Sequence, residues 1–336
     1  MTNVKTIYGS GVLANELSNL NGYIVVTDKV PWELYKDHFQ KKPLQVVTPD
    51  TLDMATLDRM LKTIPENVDF VGLGGGAVID AAKYFAYLRN KSPLLIPTIS
   101  STNAPFSDFI SITNENGYRF GFKKLGWPKR IIVDYELICK ANPRFNRAGY
   151  GDLIFMQTTL DDWRLASEKG KGVPVDPKIE KTLEGMIAIA LESATEIGSN
   201  SPRGIEILMK LIEDSTDLMM QNLSLPINAG SDHLFAWNLE VTTGRHFIHG
   251  EIVALGILIS SFLHKKHYLE LKDALDQANV TYLPKELDIS WEEIKKTLLS
   301  MEEYNRKVRQ FDTVFDEVVW TPELLNEIQA LLFCNK

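Results

Sequence analysis

Val71-Gly72-Leu73-Gly74-Gly75-Gly76-Ala77-Val78-Ile79-Asp80-Ala81-Ala82-Lys83 runs from an apolar strand, through three consecutive glycines, into a helical pattern. Glycine lets a backbone approach a ligand closely, and the unbonded N–H groups at a helix start attract phosphate. The turn therefore fits a pyrophosphate cradle. It fits a plain tight strand-to-helix turn equally well, because its letters match neither GxGxxG nor the P-loop pattern. Asp80 and Lys83 stand three apart on one helix face, the spacing of an ordinary surface pair.

Outward from that turn, short β-rich runs alternate with helical patterns. Strands are expected at 23–27, 44–47, 69–73, 94–97 and 130–133, with helices at about 32–40, 51–63 and 77–89 between them. Continuous apolar strands separated by helices predict a parallel sheet covered on both faces. Ile110 to Phe122 alternates around Asn114-Glu115-Asn116-Gly117, whose Asn-Gly pair suits a tight hairpin turn. After Asn142-Pro143 strand-like runs become scarce. Helical periodicity then covers roughly 151–168, 178–197, 203–222, 231–241, 249–266, 268–278, 291–299 and 321–333. The expected architecture is an α/β nucleotide-binding domain over 1–143, a Rossmann-like parallel sheet with an inserted β-hairpin, and an all-α domain over 144–336.

Length suggests two domains, at roughly 150 residues each, with one or three as the outer alternatives. With 44% hydrophobic and 24% charged residues, disorder is excluded as the main state. A net charge of −8 argues against a nucleic-acid binder that neutralises phosphates. Cys139 and Cys334 are too far apart for a metal knuckle or disulfide framework and read as free thiols of a reducing compartment. The start, MTNVKTIYGSG, carries no signal-peptide pattern. The apolar run Ile252–Ile259 is too short to cross a bilayer and predicts a buried helix. A cytoplasmic protein with no membrane partner is expected.

Six histidines are present, none with HExxH spacing. His233, in Asn228-Ala229-Gly230-Ser231-Asp232-His233, and His249, in His249-Gly250-Glu251-Ile252, stand at the openings of apolar helices. Taken with GGGAVIDAAK, the PTISSTNAPFS loop at 97–107, AGYGD at 148–152, AGSDH at 229–233 and HGEIVALG at 249–256, they form five ordered motifs between about residues 8 and 270. Together these resemble the superfamily of dehydroquinate synthases, glycerol dehydrogenases, glycerol-1-phosphate dehydrogenases and iron-containing alcohol dehydrogenases. The glycerol-1-phosphate and glycerol dehydrogenase branch is the nearest.

The resemblance implies a dehydroquinate synthase-like fold with NAD(P) on the first domain and a metal ion in the cleft before the helical one. It places the metal ligands at Asp152, His233 and His249, a set that suits Zn²⁺ or Fe²⁺. It places the cofactor at Asp28, Gly74, Gly75, Gly76, Ala77, Thr98, Ser101 and Ser107. Asp28 would face the adenosine ribose and favour NAD over NADP, although it could instead cap the following helix. Where many iron alcohol dehydrogenases have a histidine one turn after the aspartate, this chain has Met156, which points to three ligands. Trp237 stands where relatives carry a second histidine, and Asn103 where glycerol dehydrogenases carry an aspartate. Neither side chain can do the proton transfer of the residue it replaces. With Lys123 they form the expected substrate pocket. Lys123, Lys124, Lys129, Arg130 and Arg245 could meet a substrate phosphate or form a solvated basic face.

The implied activity is a metal-assisted, NAD-dependent oxidation of a secondary hydroxyl on a polyol, polyol phosphate or cyclitol-like compound. The metal would bind the hydroxyl and lower its pKa. Two alternatives stand beside it: a sugar-phosphate cyclase using NAD transiently, and a binding protein that kept the fold and lost the chemistry. The expected partner is a small polyol or sugar-phosphate-like molecule, in a homo-oligomer.

Overall fold

The computed structural model describes residues 4–113, 119–308 and 311–333; the expected Asn114–Gly117 turn and Cys334 lie outside them. The chain forms two compact units, Met1–Asn146 with Asn200–Asp217, and Arg147–Ser199 with Leu218–Lys336.

The first unit is built on six parallel strands: β1 (Lys5–Gly9), β2 (Tyr23–Thr27), β3 (Gln45–Val47), β4 (Asp69–Gly74), β5 (Leu94–Pro97) and, after the hairpin, β8 (Arg130–Asp134). Their order is β1-β8-β5-β4-β2-β3. Helices α1 (Leu13–Leu17), α2 (Lys29–Tyr35), α3 (Met54–Leu61), α4 (Gly76–Leu88) and α5 (Tyr135–Cys139) connect or follow the strands. Residues 23–27 are buried throughout, as a central strand covered on both faces requires. The hairpin is β6 (Phe109–Thr113) antiparallel to β7 (Arg119–Lys124), with an irregularity between Ile112 and Thr113. β1 is absent from the sequence expectation. It is a half-exposed edge strand, so its five residues show no continuous apolar run.

The second unit is helical. The chain enters it within α6 (Pro143–Leu153) and continues through α7 (Met156–Glu168), α8 (Pro177–Glu192) and α9 (Ala194–Gly198). Helix α10 (Pro202–Gln221) begins in the first unit and ends in the second. There follow α11 (Ser231–Thr243), α12 (His249–His264), α13 (Tyr268–Gln277), α14 (Trp291–Leu299), α15 (Met301–Val308) and α16 (Pro322–Phe333). The helix starts follow ordinary chemistry. Asp176 accepts from the Lys178 and Ile179 N–H groups ahead of Pro177, and Ser290 with Glu293 forms a capping box. The apolar run Ile252–Ile259 lies buried in α12, and among the described residues no helix is long and apolar enough to cross a membrane.

One difference from the expected division at residue 143 concerns 200–217, which group with the sheet unit. The Thr6 and Tyr8 hydroxyls of β1 both donate to the Glu213 carboxylate at 2.5 Å, and the Asn200 side chain donates to the Cys139 carbonyl at 3.1 Å. Polar bonds of this kind leave no trace in hydrophobic periodicity.

Candidate functional site

In the first unit the chain leaves β2 toward the edge strand β3 and leaves β4 in the opposite direction toward β5. That reversal is where open α/β sheets bind ligands, beyond the carboxyl ends of the strands. Register pairs Thr27 with Leu73, which sets Asp28 beside the Gly74–Gly76 turn. Asp28 occupies the cap position of α2 but makes no side-chain hydrogen bond to the helix start. Its exposed carboxylate is thus not used as a cap. Gly75 occupies the corresponding position of α4, and Ile79 is the first residue to bond back, to the Gly75 carbonyl at 3.0 Å. Helix geometry leaves the N–H groups of Gly76, Ala77 and Val78 without acceptors inside α4.

The loop after β5 lies against this turn. Thr98 is buried and its N–H donates to the Gly74 carbonyl at 3.1 Å. Ser101 and Asn103 are half-buried, and Asn103 precedes a short turn of 3₁₀ helix over Ala104–Phe106. Ser107 is buried, with its hydroxyl 3.3 Å from the Phe109 carbonyl. Lys123 is half-buried on β7, its ammonium 5.5 Å from the centre of the Tyr84 ring. Other basic residues have acidic neighbours: Lys124 with Asp108 at 3.4 Å and Arg130 with Glu16 at 2.7 Å. In the second unit Arg245 lies 3.0 Å from Glu293.

In the second unit three helices bring Asp152, His233 and His249 together. Asp152 is next to last in α6, His233 third in α11, and His249 first in α12. His233 Nε2 is 3.3 Å and His249 Nε2 3.6 Å from Asp152 Oδ1. One ligand atom from each residue lies within 4.8 Å of the others. The close approach of α6 and α12 needs glycine on both sides: a Cβ on Gly250 would stand 1.8 Å from the Ala148 carbonyl oxygen, and one on Gly151 would stand 2.5 Å from the Gly250 oxygen.

His233 is oriented from behind. Its Nδ1 lies 2.5 Å from Asp232 Oδ1, while the Thr158 hydroxyl of α7 donates to Asp232 Oδ2 at 2.6 Å. A carboxylate on Nδ1 leaves Nε2 to face Asp152 and His249, the arrangement found behind metal-binding imidazoles. Burial pulls the His233 pKa down, but the hydrogen bonds and charges of Asp152 and Asp232 outweigh it and raise it to about 9. Asp162, also on α7, accepts the Ser231 N–H at 2.7 Å and so supplies the cap that Gly230 cannot. A Cβ on Gly230 would stand 2.6 Å from that same carboxylate oxygen. The other Asp162 oxygen takes His264 Nε2 and the Val314 N–H, both at 2.8 Å.

This donor set fits a divalent metal ion: one carboxylate and two imidazoles, with inward nitrogens and an ordered second layer. Trp237 is buried one turn after His233, with ring centres 5.6 Å apart, and Phe155 approaches His233 from another side at 4.8 Å. Met156 is buried at the start of α7. Sequence reasoning gave no role to Asp232, although it lies in the AGSDH motif, nor to Thr158 and Asp162, because their bonds join residues far apart in the chain.

Comparison with known proteins supports the superfamily of iron-containing alcohol dehydrogenases. The family described as "Iron-containing alcohol dehydrogenase" matches residues 6–143. Among individual relatives, the glycerol-1-phosphate dehydrogenase [NAD(P)+] of Saccharolobus islandicus is 29% identical over 303 residues, covering 87% of this chain and 84% of the relative. That of Hyperthermus butylicus is 32% identical over 232 residues, covering 68% and 64%. A solved probable glycerol dehydrogenase from Sinorhizobium meliloti shares the fold, with a TM-score of 0.71 at 22% identity over 97% of this chain and 96% of that one.

Proposed function

We propose that this protein is an NAD-dependent, metal-assisted dehydrogenase that oxidises a secondary hydroxyl of a polyol or polyol phosphate. The observation that carries the reading is the convergence of Asp152, His233 and His249 from three separate helices. Relatives named glycerol-1-phosphate dehydrogenase support the substrate class.

Asp152, His233 and His249 would hold the divalent ion, Zn or Fe. Such an ion, when bound, lowers the pKa of a substrate hydroxyl and stabilises charge on its oxygen as hydride leaves the adjacent carbon. The chain's own residues do the rest. Asp232 holds the His233 ring with Nε2 inward. Trp237 offers an apolar wall beside that ring and exchanges no proton. The Gly76, Ala77 and Val78 N–H groups donate to the dinucleotide's pyrophosphate, with Thr98, Ser101 and Ser107 lining the loop beside it. Asp28 accepts the ribose hydroxyls, and its charge repels the 2′-phosphate of NADP. Asn103 and Lys123 are the proposed substrate contacts of the first unit, an amide for hydroxyls and a cation for phosphate.

The test is NADH formation from NAD+ with glycerol-1-phosphate and with glycerol, alongside metal content. Turnover with net NADH is expected, tighter binding of NAD+ than NADP+, and loss of both metal and turnover in His249→Ala. A fully active, fully metallated His249→Ala would sink the assignment. NAD+-dependent turnover of a sugar phosphate with neither net NADH nor net loss of NAD+ would move the protein to the cyclase class.

A further inference from the structure

Lys83 is 1% exposed, and the reading above gives it no task. Its spacing from Asp80 suggested a surface pair, but both residues are buried on α4. The ammonium lies 2.7 Å from the Ala104 carbonyl, 3.2 Å from that of Ser107 and 2.5 Å from that of Phe109, with Asp80 Oδ1 at 3.1 Å. The other Asp80 oxygen accepts the Ser111 N–H at 2.8 Å. An ammonium has three N–H groups for these acceptors, whereas a neutral amine has two and would leave a buried carbonyl short. Burial works against that charge and lowers the Lys83 pKa, and Asp80 and Asp108 oppose the shift.

The three carbonyls belong to one stretch, the outer half of the loop after β5 and the first residue of β6. The inner half of that loop packs on the glycine turn. A Cβ on Gly75 would meet the Ile99 side chain at 2.9 Å, and one on Gly76 would meet Thr102 Oγ1 at 3.0 Å. Thr102 Oγ1 also accepts the Ala104 N–H at 3.1 Å. Helix α4 therefore carries the anion-binding turn at its start and, two turns on, the cation that fixes the loop over that turn. A buried ion pair is a poor way to gain stability, since apolar side chains of equal volume often do as well. Its use here is to define one loop position.

We propose that Lys83 is a positioning residue for the dinucleotide: a buried cationic clamp that holds residues 104–109 at the height the cofactor needs above the glycine turn. This rests on the reading of that turn as the NAD site. The loop is then ordered before the cofactor arrives, and binding does not have to order it.

The experiment titrates NAD+ into the unaltered protein and into Lys83→Met, which keeps length and apolar bulk but loses the cation. Affinity for NAD+ should fall roughly tenfold to a hundredfold. The KM for NAD+ should rise while kcat at saturating NAD+ and the metal content stay near those of the unaltered protein. Lys83→Ala with added propylammonium should recover NAD+ affinity, because the amine can refill the carbonyl cage. Asp80→Asn, of unchanged volume, must weaken NAD+ in the same direction and serves if Lys83→Met does not fold. NAD+ affinity in Lys83→Met within twofold of the original would overturn the clamp. So would a weakened Lys83→Ala that propylammonium leaves unmoved, since lost packing would then be the cause. Failure of the unaltered protein to bind NAD+ would overturn the cofactor reading itself, and the clamp with it.

Discussion

Trp237 is where a single residue separates two accounts of this site. An indole packed edge-on against His233, with ring centres 5.6 Å apart, contributes apolar area and a fixed wall but no titratable group. If relatives' histidine at this place served only to pass a proton, Trp237→His should raise turnover on glycerol. If the indole shapes the pocket, the same change removes contact that a smaller polar ring cannot replace. The second outcome is expected. The KM for glycerol-1-phosphate should rise roughly threefold to tenfold, as loss of an aromatic pair implies, with no gain on glycerol. Steady-state kinetics on both substrates decide it. Faster glycerol oxidation, further increased by adding Asn103→Asp, would return the protein to the plain glycerol dehydrogenases.

At the scale of elements, the site depends on how closely α12 approaches α6. The contact is backbone to backbone: a Cβ on Gly250 would lie 1.8 Å from the Ala148 oxygen and 3.1 Å from the Asp152 nitrogen. Neither neighbour is a flexible side-chain end, so Gly250→Ala must push the start of α12, and His249 with it, away from Asp152. A loss of about 1–3 kcal/mol in unfolding free energy is expected from the overpacking, with clearly weaker metal binding. Gly185 is the control, because nothing lies within 4 Å of its Cβ position on α8. Gly185→Ala should stabilise by about 1 kcal/mol from helix propensity alone and leave metal affinity unchanged. Equal metal affinity in both variants would mean that the helix approach does not set the ligand spacing. The three residues that converge were legible in sequence through the ordered motifs that carry the family resemblance, since their own spacing matches no local metal pattern. The helices bearing them were legible because burial imposes a 3.6-residue period. What supports the ligands was not. The roles of Asp162 and Asp232 show only when the N–H groups and hydroxyls that donate to them are placed, and the groups around Lys83 are backbone carbonyls of Ala104, Ser107 and Phe109, which residue type does not announce. Edge strand β1 escaped for a related reason, since its hydroxyls are held by Glu213 and not by an apolar face.

Across the whole molecule, the two proposed ligands belong to different units. Asp28 and the glycine turn lie in Met1–Asn146, while Asp152, His233 and His249 lie in the unit formed by Arg147–Ser199 and Leu218–Lys336. A ligand that binds only the folded state stabilises what it touches, by about 2.7 kcal/mol at a hundred times its Kd. Opening events that do not disturb its site gain nothing from it. Metal and NAD+ should therefore protect different backbone amides from hydrogen exchange. Zn²⁺ added to metal-free protein should slow exchange at the starts of α11 and α12 and at the end of α6, where the ligands sit. NAD+ should slow it at the ends of β2 and β4, at the start of α4 and through residues 98–109. The second pattern should persist in metal-free protein, because none of the proposed cofactor residues belongs to the metal-bearing unit. Protection by Zn²⁺ centred on the glycine turn, or by NAD+ centred on the start of α11, would contradict the division of labour. So would metal-free protein in which NAD+ protects nothing, for then the sheet unit would need the ion to build its cofactor site.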